Sequence, residues 1–405
     1  MSGGLGLTMR VVSFCHYLQG PVCSQFLADM GAEVIKIEPL KGAFERHWSG
    51  GNSYVEGVSA FSLAVNRNKR SLALDLKHPE GLAIAQALIR DADVVLENYR
   101  PGVLDRLGLG YEAVKALNPA IIYASASGLG SSGPASRRPG QDLLMQARSG
   151  LVAVTGGGDQ GPSVVGAAVV DQHGASLLAM GILGAYVKKL QTGEGTRIET
   201  SLFEAAIDLQ VEALTKYYAS PNRQQLLERG RHVGSWYHDA PYGLYDLQDA
   251  RIVLSMNDPV RLAEALDSDA LRELQGIDRY LERDRYSEEV ARVLAPWRFA
   301  DLAARFDAHA IWHERVQDYE ALRQDPQALH NGTFETIDVH GKPATLVRHP
   351  LRYDGRTPAV RRMPLVPGAD SRAVLDALGY SRQRQQQLID QGVVAAPEAD
   401  GPPSP

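Results

Sequence analysis

The stretch from residue 9 to residue 38, MRVVSFCHYLQGPVCSQFLADMGAEVIKIE, decides the fold class. Residues 9–15 are rich in β-branched and aromatic side chains, which predicts a strand. A helix is predicted over 21–30, because it opens directly after Gly20 and proline suits a first helical turn. Residues 32–38 (AEVIKIE) predict a second strand. Two strands joined by a helix indicate a βαβ unit and therefore parallel pairing.

The alternation continues along the first third of the chain. Further strands are predicted at 71–76, 93–99 and 120–127, with a helix over 79–89 after the first of them. Parallel sheets of this kind bind ligands beyond the carboxyl ends of their strands. We therefore expect an α/β protein, with a second unit after a polar linker near 221–234 and strands near 242–245 and 252–255.

Composition narrows the function classes. The chain has 405 residues, with 42 Lys and Arg against 48 Asp and Glu, a net charge of −6. Sequence-independent nucleic-acid binding needs a basic surplus, so it is not predicted. Its two cysteines, Cys15 and Cys23, cannot form a disulfide framework or a four-ligand zinc site, and we expect both to be small buried thiols.

The start of the chain and the length of its apolar runs predict where the protein is located in the cell. The start, MSGGLGLTMRVVSF, lacks a positively charged region followed by a long apolar run, so a secretory signal is not predicted. The chain also contains no uninterrupted apolar run of about 18 residues. We expect a cytoplasmic protein.

Asp171 is the first candidate for chemistry. It ends the apolar run VVGAAVVD, directly before a helix predicted over 172–191. One interpretation is a helix N-cap whose side chain accepts backbone N–H groups. The other is a covalent nucleophile, since a carboxylate with the usual pKa of about 3.9 is ionised at neutral pH and helix N-terminal donors can bind an oxyanion. The two interpretations are compatible, and the residues leave both open.

Other candidate residues are less distinctive. Cations fall near predicted strand ends or loops, where they are either solvated or converge on the phosphates of an anionic ligand. They are Arg67, Lys69, Arg70, Lys77, Arg100, Arg106, Arg137 and Arg138. His173 lies two residues after Asp171, but the chain lacks the G-x-S-x-G and H-E-x-x-H patterns. Neither a serine hydrolase nor a metal enzyme is predicted.

Several strings, taken in order, resemble the class III CoA-transferase family over nearly the whole chain. They are the Gly20-Pro21 turn with Cys23 and Gln25, GAEVIKIEP (31–39), NRNKRSLALDLKHPEG (66–81), DADVVLENYRPGVLDRLGLGYE (91–112), NPAIIYASASGLG (118–130), GQDLLMQARSGL (140–151), VGAAVVD (165–171) and TGEGTRIETSLFEAA (192–206).

The resemblance implies a large α/β domain with a Rossmann-like fold and a smaller α+β domain. The expected bounds are 1–220 for the large CoA-binding domain, 225–320 for the small domain, and 321–394 for a C-terminal segment that returns to the large one. Residues 395–405 are rich in proline, alanine and acidic residues, so we expect a disordered tail. The resemblance also implies a homodimer whose two chains interlock like links of a chain.

The resemblance further implies site residues. The catalytic carboxylate of the family matches Asp171, and an active-site acid matches Asp142. The CoA-contacting positions match Tyr17, Leu18, Leu74, Lys77, Asn98, Tyr99 and Arg106. Two departures concern cations: Pro39 stands where members often carry Arg, and Pro139 replaces a basic residue, which makes the nearby Arg138 a candidate for the CoA phosphates.

The implied reaction moves CoA from an acyl-CoA to a free carboxylic acid through an Asp171 anhydride and an aspartyl-CoA thioester. CoA thioesters are then substrates, and no permanently bound cofactor is expected. Arg67, Arg137 and Arg138 could pair a second substrate carboxylate, which favours dicarboxylates such as succinate, with succinyl-CoA as a candidate donor.

Two alternatives stay open. The family also contains α-methylacyl-CoA racemases, in which a His precedes the matched Asp. Here Gln141 precedes Asp142 and does not titrate, so racemisation would need His173 as the second base. The other alternative is a CoA-binding protein without turnover.

Overall fold

The structure, a computed structural model, describes residues 5–157, 161–221 and 227–397. The chain divides into two compact units. The large unit comprises the described residues up to 145, 168–206 and those from 326 onward, and the small unit comprises those within 146–167 and 207–325.

These bounds differ from the expected ones, because 146–167 and 207–221 group with the small unit. Side-chain hydrogen bonds explain the grouping. Gln210 donates to the Ser149 hydroxyl at 3.1 Å, and Arg229 donates to the Val154 carbonyl at 2.9 Å.

The strands, in chain order, are β1 (Arg10–Phe14), β2 (Glu33–Glu38), β3 (Tyr54–Val55), β4 (Val58–Ser59), β5 (Arg70–Leu74), β6 (Val94–Glu97), β7 (Ile122–Ser127), β8 (Thr196–Ser201), β9 (Gly243–Asp246), β10 (Arg251–Leu254), β11 (His313–Arg315), β12 (Phe334–Val339), β13 (Lys342–Val347) and β14 (Val394–Ala395).

The helices, in chain order, are α1 (Gln19–Asp29), α2 (Phe44–His47), α3 (Ala60–Val65), α4 (Pro79–Arg90), α5 (Val103–Arg106), α6 (Tyr111–Leu117), α7 (Asp142–Arg148), α8 (Leu151–Val154), α9 (Val169–Thr192), α10 (Leu202–Asp208), α11 (Val211–Ala219), α12 (Pro259–Ala265), α13 (Asp269–Glu273), α14 (Arg283–Leu294), α15 (Phe299–Ala308), α16 (Tyr319–Gln324), α17 (Pro326–Asn331), α18 (Ser371–Ala377) and α19 (Arg382–Asp390). A short 3₁₀ turn covers Gly50–Asn52.

A mostly parallel sheet forms the centre of the large unit, which confirms the predicted fold class. Its order is β14-β5-β2-β1-β6-β7-β8, and β14 alone among these strands runs antiparallel. The order changes direction between β1 and β6, which places their carboxyl ends at the crevice where α/β sheets bind ligands.

Both faces of this sheet are buried, as the nearly continuous apolar runs in its strands predict. On one face Val11, Val94 and Leu96 pack with α1 and α9. On the other face Val12 and Phe14 pack with α4, α6, α18 and α19. Each such side chain contributes about 1.5 to 3 kcal/mol to the stability of the fold when it is fully buried. The two cores therefore hold the strand ends in place.

The C-terminal residues of the chain return to the large unit. Arg67 donates to the Val347 carbonyl at 2.6 Å, and the amide N–H of Ser71 donates to Asp370 at 2.9 Å. β14 then pairs with β5, so Ala395 belongs to a strand and not to the predicted disordered tail. Most of that predicted tail, 398–405, lies outside the described residues.

The small unit contains a three-stranded antiparallel sheet in the order β11-β10-β9. Strands β9 and β10 agree with the strands predicted near 242–245 and 252–255. Tyr245, Ile252 and Phe306 are fully buried in its core, which α12 to α15 complete.

Candidate active site

The carboxyl ends of β1 and β6 meet at the middle of the sheet edge. Asn98, the first residue after β6, accepts the His16 N–H at 3.0 Å and donates to the His16 carbonyl at 2.7 Å. One amide side chain thereby satisfies both peptide groups of His16 and continues the pairing of the two strands past their ends.

Tyr17, the residue after His16, has a left-handed backbone with φ of 61°. A residue with a side chain adopts this conformation only where its surroundings impose it. The Tyr17 N–H donates to Glu45 at 3.3 Å, and Glu45 is fully buried and paired with Lys36. The turn between β1 and α1 is therefore held by Asn98 and Glu45.

Helix α1 begins directly after this turn. Its N-cap residue, Leu18, has no side-chain acceptor, so the first N–H groups of the helix need an acceptor from elsewhere. The Gln19 N–H finds one in the carboxylate of Asp171. Gly20 is required here, because a Cβ at this position would lie 2.5 Å from the Cys15 Sγ.

Asp171 lies in the first turn of α9, which begins at Val169, three residues earlier than predicted. The N-cap residue of α9 is Ala168, so the interpretation of Asp171 as an N-cap is wrong. Asp142 supplies the acceptor instead: its Oδ1 accepts the N–H of Val170 at 2.7 Å and the N–H of Asp171 at 3.0 Å.

This arrangement changes the ionisation of Asp171. Burial and, second, the charge of Asp142 raise the pKa of Asp171 to about 7, against the lowering effect of the Gln19 N–H. This raised pKa differs from the expectation of an ordinary, fully ionised carboxylate. The N–H groups expected to keep Asp171 ionised are bound by Asp142 instead.

A close contact between α1 and α9 fixes the distance from Asp171 to Gln19. A Cβ at Gly174, one turn after Asp171, would lie 2.5 Å from Nε2 of Gln19. Gln19 is 4% exposed, and its Nε2 has no hydrogen-bond partner among the residues that the structure describes. The absence of a side chain at Gly174 therefore allows the two helices to approach.

A loop after β7 delivers Asp142. Its two ends touch, because a Cβ at Gly128 would lie 2.5 Å from the Cα of Gly140. Asp142 follows as the first residue of α7. The loop therefore leaves and rejoins the sheet edge at one point, close to the start of α9.

Most positions matched to CoA contacts come directly after the carboxyl ends of parallel strands. Tyr17 and Leu18 follow β1, Lys77 follows β5, and Asn98 and Tyr99 follow β6. Arg106 ends α5, and Arg138 lies in the loop between β7 and α7. Lys77, Arg106 and Arg138 are exposed, Tyr17 is 39% exposed, and Leu74 is a core residue of β5 with 2% exposure.

The motif NRNKRS (66–71) has another role. Arg67 is buried and binds Asp29, with a shortest N–O distance of 2.7 Å. Lys69 is fully buried and donates to the carbonyls of Pro21 and Val65 at 2.7 Å each. Neither cation is solvated or available to a phosphate, so both interpretations given for these two residues are wrong.

Cavities adjoin the edge within the large unit. One of about 510 Å³ lies beside the ends of β6, β7 and β8, on the sheet face opposite α9. Its lining includes Glu97, Ser125 and Arg197. Burial raises the pKa of Glu97 to about 7.

The remaining candidate residues are the two cysteines, Gln141 and His173. Cys15 and Cys23 are buried thiols, as predicted, and burial raises the pKa of Cys15 to about 12. Gln141 is exposed and His173 half-buried. Within 5–157, 161–221 and 227–397, no group of three or more His, Cys, Asp or Glu residues is placed to hold a metal.

Sequence reasoning did not identify Gln19, Glu45 or the clamp formed by Asn98. The helix predicted over 21–30 exposes N–H donors at its start, but α1 begins two residues earlier, at Gln19, so the prediction did not include this donor. The partner of this donor is Asp171, which lies some 150 positions away along the chain and comes close only in the folded protein.

Comparison with known proteins identifies the family of the chain. A family model described as CoA-transferase family III matches residues 8–371. An acyl-CoA transferase of Fusarium pseudograminearum is 35% identical, over 95% of this chain and 87% of that protein. The succinate–glutarate CoA-transferase of Agrobacterium fabrum is 31% identical, over 86% of this chain and 91% of that protein.

A solved structure described as a CAIB/BAIF family protein from Brucella suis is 28% identical and aligns with a TM-score of 0.79. It covers 93% of this chain and 100% of its own. The profile match and the relatives extend over most of the chain, so the resemblance seen in the sequence is confirmed. The chain belongs to CoA-transferase family III and is an enzyme that transfers CoA.

Proposed function

We propose that this enzyme moves CoA from an acyl-CoA donor to a free carboxylic acid, with Asp171 as the covalent carrier. The observation that carries the proposal is the placement of the Asp171 carboxylate: half-buried at the ligand-binding sheet edge, hydrogen-bonded to the Gln19 N–H and adjacent to Asp142. A group with a pKa near 7 in this setting is typical of a functional site.

In the first step an oxygen of ionised Asp171 attacks the thioester carbon of the donor. The C–S bond breaks, CoA leaves as the thiolate, and an Asp171 anhydride remains. The thiolate then attacks the Asp171 carbonyl carbon and releases the donor acid as its carboxylate, which leaves an aspartyl-CoA thioester. The acceptor carboxylate repeats the two steps in reverse order and departs as the new acyl-CoA.

The hydrogen bonds around Asp171 suit these steps. The Gln19 N–H is placed to stabilise negative charge on the Asp171 oxygen whenever its carbonyl is attacked. Asp142 occupies the N–H groups at the start of α9, so they do not stabilise the free Asp171 carboxylate. Less stabilisation of the ionised ground state makes Asp171 a more reactive nucleophile.

CoA must stay bound between the steps, which requires a grip on its nucleotide end. We assign that grip to the exposed cations at the sheet edge, Lys77, Arg106 and Arg138. Tyr17, Leu18, Asn98 and Tyr99 line the same edge. Leu74 would contribute through its backbone, because its side chain is part of the core.

We favour succinyl-CoA as the donor and dicarboxylates as the acids exchanged. The Agrobacterium relative is named for succinate and glutarate, both dicarboxylates. Arg67 is bound to Asp29 and is withdrawn from this role, which leaves exposed Arg137 to pair a second carboxylate, while Arg138 stays assigned to the CoA phosphates. Asp142 is assigned as a second acid of the site.

We further propose that the enzyme is an interlocked homodimer. Helix α9 exposes apolar side chains along one side, with Met180, Val187 and Leu190 between 54% and 69% exposed, as a contact between subunits would require. The cytoplasmic location stays a prediction. No helix in the described part of the chain combines the length and apolarity needed to span a bilayer.

The test is mass-resolved CoA exchange. Purified enzyme is mixed with succinyl-CoA and a panel of free mono- and dicarboxylic acids, and new acyl-CoA masses are sought. A new acyl-CoA that forms only with both partners supports transfer and identifies an acceptor. Solvent deuterium entering the α-position of a 2-methylacyl-CoA, without exchange, would instead support racemisation with His173 as a base.

A further inference from the structure

Asn98 is matched to a CoA contact, yet its side chain is engaged with protein backbone. Its Oδ1 accepts the His16 N–H at 3.0 Å and its Nδ2 donates to the His16 carbonyl at 2.7 Å. An amide placed in this way holds a peptide unit in both position and orientation, because donor and acceptor must be matched together.

The held peptide lies three residues before the N–H that binds Asp171. Between His16 and Gln19 the chain makes a left-handed turn at Tyr17, whose N–H is bound by Glu45. Gly20 then packs against the Cys15 side chain and lies near Asn98 itself, since a Cβ at Gly20 would be 3.1 Å from the Asn98 Cγ. The turn therefore has little freedom as long as Asn98 is present.

We propose that Asn98 is a positioning residue for the nucleophile: it holds the His16 peptide and thereby aims the Gln19 N–H at the Asp171 carboxylate. Asn98 acts through the turn and need not touch the reacting atoms. The inference rests on the proposed role of Asp171, but its structural part concerns only this enzyme's own residues and can be tested without turnover.

Removal of the clamp has a defined consequence. If the turn moves, the Gln19 N–H no longer reaches Asp171, and this hydrogen bond, which favours the ionised form of Asp171, is weakened. The Asp171 pKa should then rise by about 0.5 to 1, the equivalent of one hydrogen bond of ordinary net strength. Binding of CoA should change less than about threefold, a free-energy difference below 0.7 kcal/mol.

The experiment is a direct titration of Asp171 in full-length protein. Aspartate labelled with ¹³C at the carboxyl carbon is incorporated, the Asp171 signal is assigned by its loss in Asp171→Asn, and its pKa is measured in wild type and Asn98→Ala. Asn98→Ser, whose shorter side chain carries donor and acceptor on a single oxygen and therefore matches the His16 peptide less well, gives a smaller shift in the same direction. The Kd of free CoA is measured for each protein by calorimetry.

Asn118→Ala is the matched control. Asn118 is also a half-buried amide of the large unit whose Nδ2 binds backbone carbonyls, those of Ile89 at 3.0 Å and Ala92 at 2.8 Å. It lies before β7, at the amino edge of the sheet, so its loss should lower stability without moving the Asp171 pKa.

The possible outcomes distinguish a positioning role for Asn98 from a CoA-binding role and from a general structural role. A raised Asp171 pKa in both Asn98 variants, with the control unchanged and CoA affinity kept, supports the proposal. An unchanged Asp171 pKa with CoA affinity reduced tenfold or more would make Asn98 a CoA ligand and overturn it. Equal pKa shifts in Asn98→Ala and Asn118→Ala would also overturn it, as a general loss of structure. Failure of the wild type to transfer CoA would refute the proposed function and leave this measurement intact.

Discussion

Oδ1 of Asp142 accepts the backbone N–H of Asp171 at 3.0 Å, while the side chain of Asp171 accepts the N–H of Gln19. Each carboxylate therefore binds the start of a helix other than its own: Asp142, from α7, caps α9, and Asp171, from α9, caps α1. The two charges are brought close by this arrangement, which contributes to the raised pKa of Asp171.

Replacement of Asp171 by Asn should abolish CoA transfer and stabilise the protein at alkaline pH. The folded-state pKa of about 7 exceeds the unfolded value, so the folded protein binds more protons between about pH 4 and 7 and loses stability as the pH rises through that window. Asp171→Asn removes this loss. At pH 8 its free energy of unfolding should exceed that of the wild type by about 2 to 4 kcal/mol. Urea unfolding at pH 8 and pH 4 measures it.

The gain should vanish at pH 4, where Asp171 of the wild type is protonated in the folded state. CoA binding should persist in Asp171→Asn, since the exposed cations are untouched. Measurable transfer by this variant would contradict the nucleophile assignment. If the difference in unfolding free energy between variant and wild type were the same at pH 8 and pH 4, the raised pKa would be contradicted.

Two variants of Asp142 should separate its charge from its hydrogen bonds. Asp142→Asn keeps an Oδ1 that can accept the Val170 and Asp171 N–H groups but loses the charge, so the Asp171 pKa should fall by about 1. Asp142→Ala also loses the cap and should cost about 1 kcal/mol of stability in addition. Carboxyl ¹³C titration and urea unfolding read the two effects, and an unchanged Asp171 pKa in both variants would show that Asp142 does not influence it.

Arg67 and Arg138 should behave differently although both are cations of the matched segments. Arg67→Ala removes the arginine from buried Asp29, which keeps hydrogen bonds or close contacts with Asn68 and His349, and should destabilise the fold by about 3 kcal/mol. The KM for acyl-CoA should be unchanged in protein that remains folded. Arg138→Ala should leave thermal stability unchanged and raise the KM for acyl-CoA. Steady-state kinetics and thermal unfolding of both variants test this difference. A raised KM found only in Arg67→Ala would show that Arg67, and not Arg138, binds the ligand.

A double-mutant cycle should report the contact between α1 and α9. Gly174→Ala introduces a methyl group 2.5 Å from Nε2 of Gln19 and should lower kcat and stability together. Gln19→Ala removes that side chain but keeps its backbone N–H, so the double variant should recover most of both losses. Additive losses would show that the strain comes from Ala205, whose Cβ would lie 3.3 Å away.

Much of the fold follows from local sequence. The predicted strands near 9–15, 32–38, 71–76, 93–99 and 120–127 agree with β1, β2, β5, β6 and β7 to within a few residues. Helix α9 ends where predicted, with Lys189 in its last turn and Gly193 in the left-handed conformation. The start of α9 was misplaced because its cap comes from Asp142, which local pattern cannot reveal.

The roles of individual charges could not be read in the same way. Arg67 and Lys69 have the residue types and positions of phosphate ligands, yet they are buried and bound to Asp29 and to backbone carbonyls. Whether a cation faces a ligand or the interior depends on which elements pack over it, and for Arg67 that includes the returning strand β13.

The sequence by itself determined the family, the parallel sheet and Asp171 as the candidate nucleophile, because these depend on side-chain periodicity and on residue strings that are continuous along the chain. Only the tertiary structure decided the environment of that nucleophile. Asn98 and Glu45 hold the turn, Gln19 supplies the donor and Asp142 occupies the helix start. A pKa depends on burial and on charges a few ångströms away in space, and folding alone brings residues from distant parts of the chain to that distance.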